Sequence, residues 1–211
     1  APYAQIAGLR INLESATPDD PGASEQNMVD AYYWMSGVNP TTGAIEAEPR
    51  IQVKNHSYSS NGTFGGPSAA VTLALKRTAA NGVIHVFSAG NARNEKTEDA
   101  NKDADHNLSA VLTVAALGSD GKYANYSSFG SSVFVTAPSN RSDYTGFGIT
   151  TTDRTGANLG YNAWSPTNTS GDRNDLFPDT SYASGFGGTS SSAPLVSGIM
   201  ALGKEVNPEM D

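Results

Sequence analysis

A serine in a glycine-rich turn ahead of an apolar segment is the residue best placed to do chemistry in this sequence. Ser190 follows the dipeptide Gly188-Thr189 and precedes Pro194 and the apolar run 195–202. The pattern predicts a turn leading into a helix, because proline is tolerated in a first helical turn, where its missing N–H has no intrahelical partner. The unpaired N–H groups and positive dipole of a helix N-terminus would stabilise an oxyanion formed when Ser190 attacks a carbonyl. Ser190 is therefore a candidate nucleophile, and an ordinary helix-capping serine is the alternative.

Two motifs resemble those of the subtilisin-like serine proteases. The stretch 188–194, Gly-Thr-Ser-Ser-Ser-Ala-Pro, is similar to the family motif whose serine attacks the peptide bond. The stretch 83–91, about 100 residues earlier, reads as a buried strand ending in Ala-Gly-Asn and resembles the family's strand with the oxyanion-hole asparagine. The resemblance implies that Ser190 is the nucleophile and that Asn91 donates its side-chain amide to the oxyanion. Two motifs in this order are far more specific than either alone.

Other segments are similar to the kexin/furin-like branch of that family. They are residues 1–11, 126–130, 149–153 and 192–198, together with the terminal Glu205-Val206-Asn207-Pro208. The resemblance implies a serine endopeptidase that cleaves a peptide or protein substrate through an acyl-enzyme intermediate.

The same resemblance implies where the substrate binds. Ser57, Tyr58 and Ser59 stand where the family has an extended strand that pairs with the substrate backbone. Because such pairing uses backbone groups, it tolerates changes of side chain. Ala89 and Gly90, directly before Asn91, would form the facing wall of the specificity pocket.

The general base is the part of the expected machinery that this sequence lacks. Family members carry a histidine followed by Gly-Thr, and an aspartate, in segments N-terminal to the one that opens this chain, and neither motif is present. His56 is predicted either to line the binding cleft or to be a satisfied strand-end histidine, His85 to be a hydrogen-bonded core residue, and His106 to be solvated.

We therefore interpret residues 1–211 as a partial subtilase catalytic domain. The segments with the catalytic aspartate and histidine are absent from it, and the missing N-terminal part of the same domain would be needed for activity. Since the members of a catalytic triad act as a unit, the chain alone is expected to be inactive. The alternative is a non-catalytic subtilase-like remnant with a binding or structural role. An esterase is disfavoured because Gly-x-Ser-x-Gly does not occur around Ser190.

An acidic segment after Asn91 is a candidate calcium site. Oxygen-bearing side chains alternate there, at Asp99, Asn101, Asp103 and Asp105. Calcium prefers such hard oxygen ligands. The resemblance to kexin-like enzymes, which hold a calcium ion near the specificity pocket, implies Asp99 and Asp105 as ligands. A solvated acidic loop is the alternative.

Composition restricts the class of protein. The 211 residues suit one domain, and the absence of cysteine excludes disulfides, thiolate metal sites and cysteine catalysis. A formal charge of −8 argues against nucleic-acid binding. The low charged fraction of 16% suits a secreted or cell-envelope protein. No apolar run is long enough to span a membrane, and the first residues have neither the pattern of a signal peptide nor an initiator methionine.

Hydrophobic patterning predicts an α/β fold. Buried strands are expected at 5–11, 51–58, 83–88, 111–116 and 132–138, and helices at 24–36, 67–81 and after Ser190. Alternating strands and helices favour a parallel sheet, and the resemblance implies the three-layer subtilisin-like fold, incomplete at its N-terminal side. An exposed sheet edge is expected beside residues 5–11. Residues 139–187 are predicted to be a long loop.

Overall fold

The computed structural model describes most of the chain. It covers residues 3–9, 23–58, 68–93, 99–141, 148–155, 160, 162 and 177–210. Two candidate site regions lie partly outside these ranges: Ser59 and the acidic residues between 94 and 98 are not described.

Four parallel strands form the central sheet. They are β1 (Val53–His56), β2 (Ile84–Ser88), β3 (Val111–Leu117) and β4 (Val133–Pro138), and they pair in that order. Most residues of the two inner strands are buried, as expected for strands covered on both faces. The parallel sheet predicted from the sequence is thus confirmed.

Helices cover both faces of this sheet. The helices α1 (Ala23–Tyr33) and α2 (Ala69–Ala80) pack against Phe87 and Val111, whereas α3 (Thr189–Val206) packs against Ile84, Val86 and Val114 on the opposite face. Successive residues of β2 alternate between the two helical layers, as the strand period of two requires. The result is the predicted three-layer α/β architecture, in which α3 is the described helix on the second face.

The predicted strand at 5–11 is wrong within the described residues. Residues 4–9 form no strand, and the Ile6 side chain is 94% exposed. A short apolar run becomes a strand only when a neighbouring strand accepts its hydrogen bonds and a helical layer covers its side chains. No such neighbour contacts it in the described part of the chain, where β1 is the first strand of the sheet order and its outer edge is unpaired.

The predicted loop at 139–187 contains a second sheet. Strands β5 (Ile149–Thr152) and β6 (Tyr182–Phe186) pair in antiparallel fashion just ahead of α3. Sequence patterning missed them because both are short and poor in aliphatic side chains, and about 30 residues separate the two strands instead of a recognisable hairpin turn.

A directional chain of hydrogen bonds runs through the core beneath α2. The Thr78 hydroxyl donates to the Ala74 carbonyl (2.7 Å), so its oxygen accepts from His85 Nε2 (2.8 Å). His85 Nδ1 then accepts from His56 Nε2 (3.1 Å), and His56 Nδ1 accepts from the Tyr58 hydroxyl (3.0 Å). This assignment gives each imidazole one donor nitrogen and one acceptor nitrogen, as a neutral ring requires.

Burial disfavours a positive charge on either histidine. It lowers the pKa of His85 to about 3, with a smaller contribution from the charge of Lys54. The pKa of His56 also falls well below its ordinary value, first through burial and then through His85 and Lys54. Protonation of either ring would place a positive charge in the core. It would also break the chain of hydrogen bonds, because the protonated nitrogen could no longer accept.

We therefore expect the free energy of unfolding to decrease as the pH falls below about 6.5. The unfolded histidines bind a proton there, whereas the folded ones stay neutral, so the unfolded state takes up more protons. Each histidine contributes a loss of about 1.4 kcal/mol per pH unit. Asp105 has the opposite effect below pH 6, because burial and the nearby Asp103 raise its pKa to about 6. This single carboxyl group acts against three histidines, since burial lowers the pKa of His106 as well. Urea unfolding at pH 7.5 and 5.0 measures the change.

The matched variant is His85→Gln. It should be less stable at pH 7.5 but lose less stability on acidification, because one buried titrating group has gone. If the free energy of unfolding fell equally with pH in both proteins, the effect would not come from this chain of hydrogen bonds.

Candidate active site

The candidate site lies where two parallel strands end and α3 begins. Ser57 and Tyr58 directly follow β1, and Ala89, Gly90 and Asn91 directly follow β2. Carboxyl ends of neighbouring parallel strands share one edge of a sheet, which is the usual ligand-binding edge of open α/β sheets. Residues predicted separately from distant motifs are thus brought together at this edge.

Ser190 lies in the first turn of α3 and contacts the residue after β1. The Ser57 hydroxyl donates to the Ser190 carbonyl (3.0 Å), and the Ser190 hydroxyl points at the Ser57 carbonyl (3.4 Å). The second distance is at the long limit for a hydroxyl hydrogen bond. The Ser190 Oγ atom is therefore only weakly engaged and remains available to another partner.

Thr189 fixes the orientation of Asn91. The backbone N–H of Thr189 donates to Asn91 Oδ1 (2.8 Å), and the Thr189 hydroxyl donates to the same oxygen (3.0 Å). Because a backbone N–H can only donate, the amide oxygen must face α3 and the amide nitrogen must face away from this contact. The Thr189 oxygen also accepts from the Gly90 N–H (3.1 Å), so one threonine ties the end of β2 to the start of α3.

Two glycines allow this close approach. Gly188 has a φ of +79°, and a Cβ atom placed there would lie 3.2 Å from Asn91 Nδ2. Gly90 has a φ of +98° and faces the Ser128 hydroxyl. Both conformations favour glycine, and both backbones pass against a neighbouring side chain.

Tyr58 joins the candidate substrate strand to the core. Its hydroxyl contacts His56 Nδ1 and also the Tyr32 hydroxyl (3.1 Å), and its ring lies edge-on to Phe87. The side chain therefore anchors the segment after β1 from the α1–α2 side. Ser59, the third predicted substrate-binding residue, lies outside the described residues.

All three histidines of the sequence lie on the face of the sheet opposite α3. His56 stacks on Phe87 with 4.2 Å between ring centroids, and His106 lies edge-on to the same ring. His85 is held by Thr78 of α2. Ser190 lies in the first turn of α3, on the other face, so these histidines are not positioned to accept its proton.

The structure confirms the prediction for one histidine, decides between two alternatives for another and contradicts the third. His85 is the hydrogen-bonded core residue that was predicted, and His56 is a satisfied, buried strand-end histidine instead of a cleft residue. His106 was predicted to be solvated, which is wrong: it is 3% exposed. The short helical turn Asp105–Asn107 packs the ring against Phe87, and an acidic sequence context could not reveal that burial.

The candidate calcium ligands do not form a site among the described residues. Asp99 Oδ1 accepts from the backbone N–H of Asn101 (2.9 Å) and caps the short helical turn Ala100–Lys102. Asp105 is buried, with no hydrogen-bond partner for Oδ1. Within the ranges that the structure describes, no group of three or more His, Cys, Asp or Glu side chains could hold a metal ion. These residues alone therefore do not fit a bound calcium ion.

Sequence reasoning missed three polar residues that contact the turn before Ser190. Gly188 is hydrogen-bonded by Tyr126, Ser139 and Asn140. The signal was that Ser139 and Asn140 directly follow β4, so that they lie at the same sheet edge as Asn91.

Fold and site together define an α/β protein built around a serine at the N-terminus of a helix and an asparagine oriented beside it. The sequence matches the family model described as the subtilase family over residues 1–211. The chain belongs to the subtilase family.

Individual relatives agree with this membership. The chain is 28% identical over 222 aligned positions to the Aeromonas extracellular serine protease of Aeromonas sobria, covering 100% of this chain and 35% of that protein. It is 35% identical over 130 positions to a calcium-dependent protease of Trichormus variabilis, covering 61% of this chain and 18% of that protein. A solved structure of a protease from Pseudoalteromonas arctica superposes with a TM-score of 0.62 at 27% identity, covering 90% of this chain and 49% of the other.

These comparisons confirm the predicted subtilisin-like fold. The chain spans about a third or less of the length of the curated relatives it matches. The described helices include none that is long and apolar enough to cross a membrane.

Replacing Gly188 by alanine should destabilise the protein by about 1 to 3 kcal/mol, the usual range for a strained backbone position. The added Cβ would occupy an unfavourable φ and press on Asn91 Nδ2. Urea unfolding measures the effect.

Gly198→Ala is the matched control. Gly198 lies within α3, and a Cβ there has nothing within 4 Å. This variant should be as stable as the wild type or more stable by about 0.5 to 1 kcal/mol. Equal destabilisation by both substitutions would show that the turn conformation of Gly188 is not the constraint.

Proposed function

We propose that this chain is the C-terminal part of a subtilase catalytic domain and supplies the nucleophile and oxyanion hole of a serine endopeptidase. The observation that carries the proposal is the Thr189–Asn91 contact. It turns the asparagine N–H₂ group away from α3 beside the helix N-terminus at which Ser190 lies.

In the proposed reaction Ser190 Oγ attacks the carbonyl carbon of a peptide bond. Asn91 Nδ2 and the Ser190 N–H, which belongs to a first helical turn without intrahelical acceptors, donate to the resulting oxyanion. The Ser190 proton passes to a histidine outside this chain and then to the leaving amine. Water subsequently releases the acyl group from Ser190.

Among the described residues, two surfaces have no element covering them, and they support the docking of a segment with that histidine. The apolar residues Leu195, Ile199, Leu202 and Val206 recur at helical spacing along α3 and are exposed, Ile199 by 60%. In the described part of the chain, the outer edge of β1 has no strand beside it. An exposed apolar helix stripe and an open sheet edge both favour additional elements from the rest of the domain.

The substrate would lie along Ser57 and Tyr58, with Ser59 continuing the strand and Ala89 and Gly90 as the facing wall. Tyr58 supports this assignment because the core holds its side chain, leaving the backbone of the segment to pair with a peptide. Membership of the kexin/furin-like branch is part of the proposal and rests on the sequence resemblance.

Secretion and calcium belong to the same proposal. A secreted or cell-envelope location is supported by the sequence composition and by the extracellular Aeromonas relative. Calcium is supported by the calcium-dependent Trichormus relative, whereas Asp99 and Asp105 alone do not form its site. No step of the proposed reaction passes through calcium.

One observation favours a second candidate, a non-catalytic remnant. No histidine of this chain lies on the α3 face, so the half-site has no base of its own. The two candidates differ in whether Ser190 becomes reactive once a base is supplied.

Labelling with a fluorophosphonate, which modifies only activated serines, tests the proposal. The chain should remain unlabelled alone, with or without calcium. We call the complex of this chain with the segment of the Aeromonas sobria relative that precedes the matched region the complemented chain. The complemented chain should gain one label, at Ser190. Intact-mass analysis and peptide mapping give the stoichiometry and the site.

The Ser190→Ala variant is the control and should never be labelled. Labelling of the chain alone would show that it contains its own base and would overturn the half-site interpretation. Failure of the complemented chain to react would favour the remnant.

Replacement of Asn91 by alanine should lower kcat of the complemented chain by about 10²- to 10³-fold, the usual loss for an oxyanion-hole donor. KM should change little, because the oxyanion forms only in the transition state. Hydrolysis of a chromogenic peptide measures both constants. Asn207→Ala, an exposed asparagine after α3, serves as the control and should be unaffected. A loss confined to KM would argue against Asn91 as the oxyanion donor.

A further inference from the structure

The turn before Ser190 is held in a conformation that it would not adopt by itself. Gly188 has φ +79° and ψ 168°, a region that is essentially restricted to glycine. Such a conformation persists only when surrounding contacts determine it. The contacts of Gly188 therefore decide where the next two residues lie.

Both backbone polar groups of Gly188 are bound by residues from elsewhere in the chain. Its N–H donates to the Tyr126 hydroxyl (3.1 Å) and, less closely, to Asn140 Oδ1 (3.3 Å). Its carbonyl accepts from the Ser139 hydroxyl (2.8 Å) and from the Ser191 hydroxyl (3.0 Å). The peptide units on both sides of the Gly188 Cα are therefore hydrogen-bonded, and the Gly188 backbone cannot rotate without losing one of these sets of hydrogen bonds.

Tyr126 is the centre of this cluster. Its hydroxyl also lies 2.8 Å from Ser139 Oγ, 2.9 Å from the Asn140 carbonyl and 2.9 Å from Asn140 Oδ1. A phenol has one proton. The phenol oxygen accepts from the Gly188 N–H, and its proton is donated to one of these Ser139 or Asn140 oxygens. The Ser139 hydroxyl donates to the Gly188 carbonyl. One tyrosine thus joins the segment after β4 to the turn before α3.

The effect of the cluster extends to both candidate catalytic groups. Thr189, directly after Gly188, orients the Asn91 amide, and Ser190 follows it. A rotation of the Gly188 peptide would therefore move the nucleophile and release the asparagine together.

We propose that Tyr126 is a positioning residue of the catalytic site, which fixes the Gly188 peptide and through it both Ser190 and Asn91. The role in catalysis rests on the proposed function, whereas the hold on Gly188 does not. The two parts can therefore be tested separately.

The variant Tyr126→Phe removes the hydroxyl and keeps the ring. Tyr33→Phe is the matched control, since Tyr33 is a buried tyrosine whose hydroxyl bonds Arg77 on the α1–α2 face. Hydrogen exchange of the amides in the peptide 187–190 is measured in the chain as it stands. Protection of the Gly188 amide should fall about tenfold in Tyr126→Phe, the loss expected for one hydrogen bond, and not in Tyr33→Phe.

Kinetics of the complemented chain test the catalytic part. Tyr126→Phe should lower kcat by about tenfold to a hundredfold, as small displacements of catalytic groups do, with KM within about twofold of the wild type. Ser139→Ala should act in the same direction. A lost hydroxyl that merely weakened the fold would lower the amount of active protein, measured by fluorophosphonate titration, but not kcat per labelled site.

The outcomes separate the two proposals. Unchanged exchange at Gly188, or a kcat no lower than that of Tyr33→Phe, would overturn the role of Tyr126. If the wild-type complemented chain does not react with the fluorophosphonate, the proposed function fails, and the exchange result still decides whether Tyr126 holds Gly188.

Discussion

The junction between the end of β2 and the start of α3 is the constraint on which the rest of the site depends. Two chain segments about 100 residues apart meet there through Thr189, whose N–H and hydroxyl both donate to Asn91. Glycine at position 188 permits the approach, because any side chain would press on that asparagine. The direction of an exposed amide is therefore set by buried backbone geometry, which makes the arrangement rigid before any ligand arrives.

The two faces of the sheet carry different groups of residues. The α3 face presents the serine and the asparagine, whereas the α1–α2 face holds the neutral histidine pair and the tyrosines that anchor the segment after β1. Alternation along β1 and β2 keeps these functions apart, since neighbouring residues point to opposite layers. The histidines thereby stabilise the strand that would carry the substrate without approaching the nucleophile.

Sequence patterning located the strand before Asn91 and the helix after Ser190 because their signals are local. These signals are an apolar run, a glycine and a proline within a few residues of each element. It failed where the outcome depends on distant partners. Residues 4–9 have the composition of a strand but lack a neighbour, and β5 pairs with β6 across a long intervening segment. Tyr126 was missed for the same reason, since nothing near it in sequence indicates that it meets Gly188.

The histidine pair also decides between alternative alignments of β1 and β2. Sliding β1 by two residues would keep every side chain on its proper face, so the apolar pattern alone tolerates it. The observed alignment pairs Lys54 with His85 and His56 with Phe87. A slip that placed His56 opposite Ala89 would carry it away from His85, and the buried ring nitrogens that bond each other would lose their partners at about 1 to 3 kcal/mol each. Polar groups in the core thus exclude a strand alignment that hydrophobic burial alone would accept.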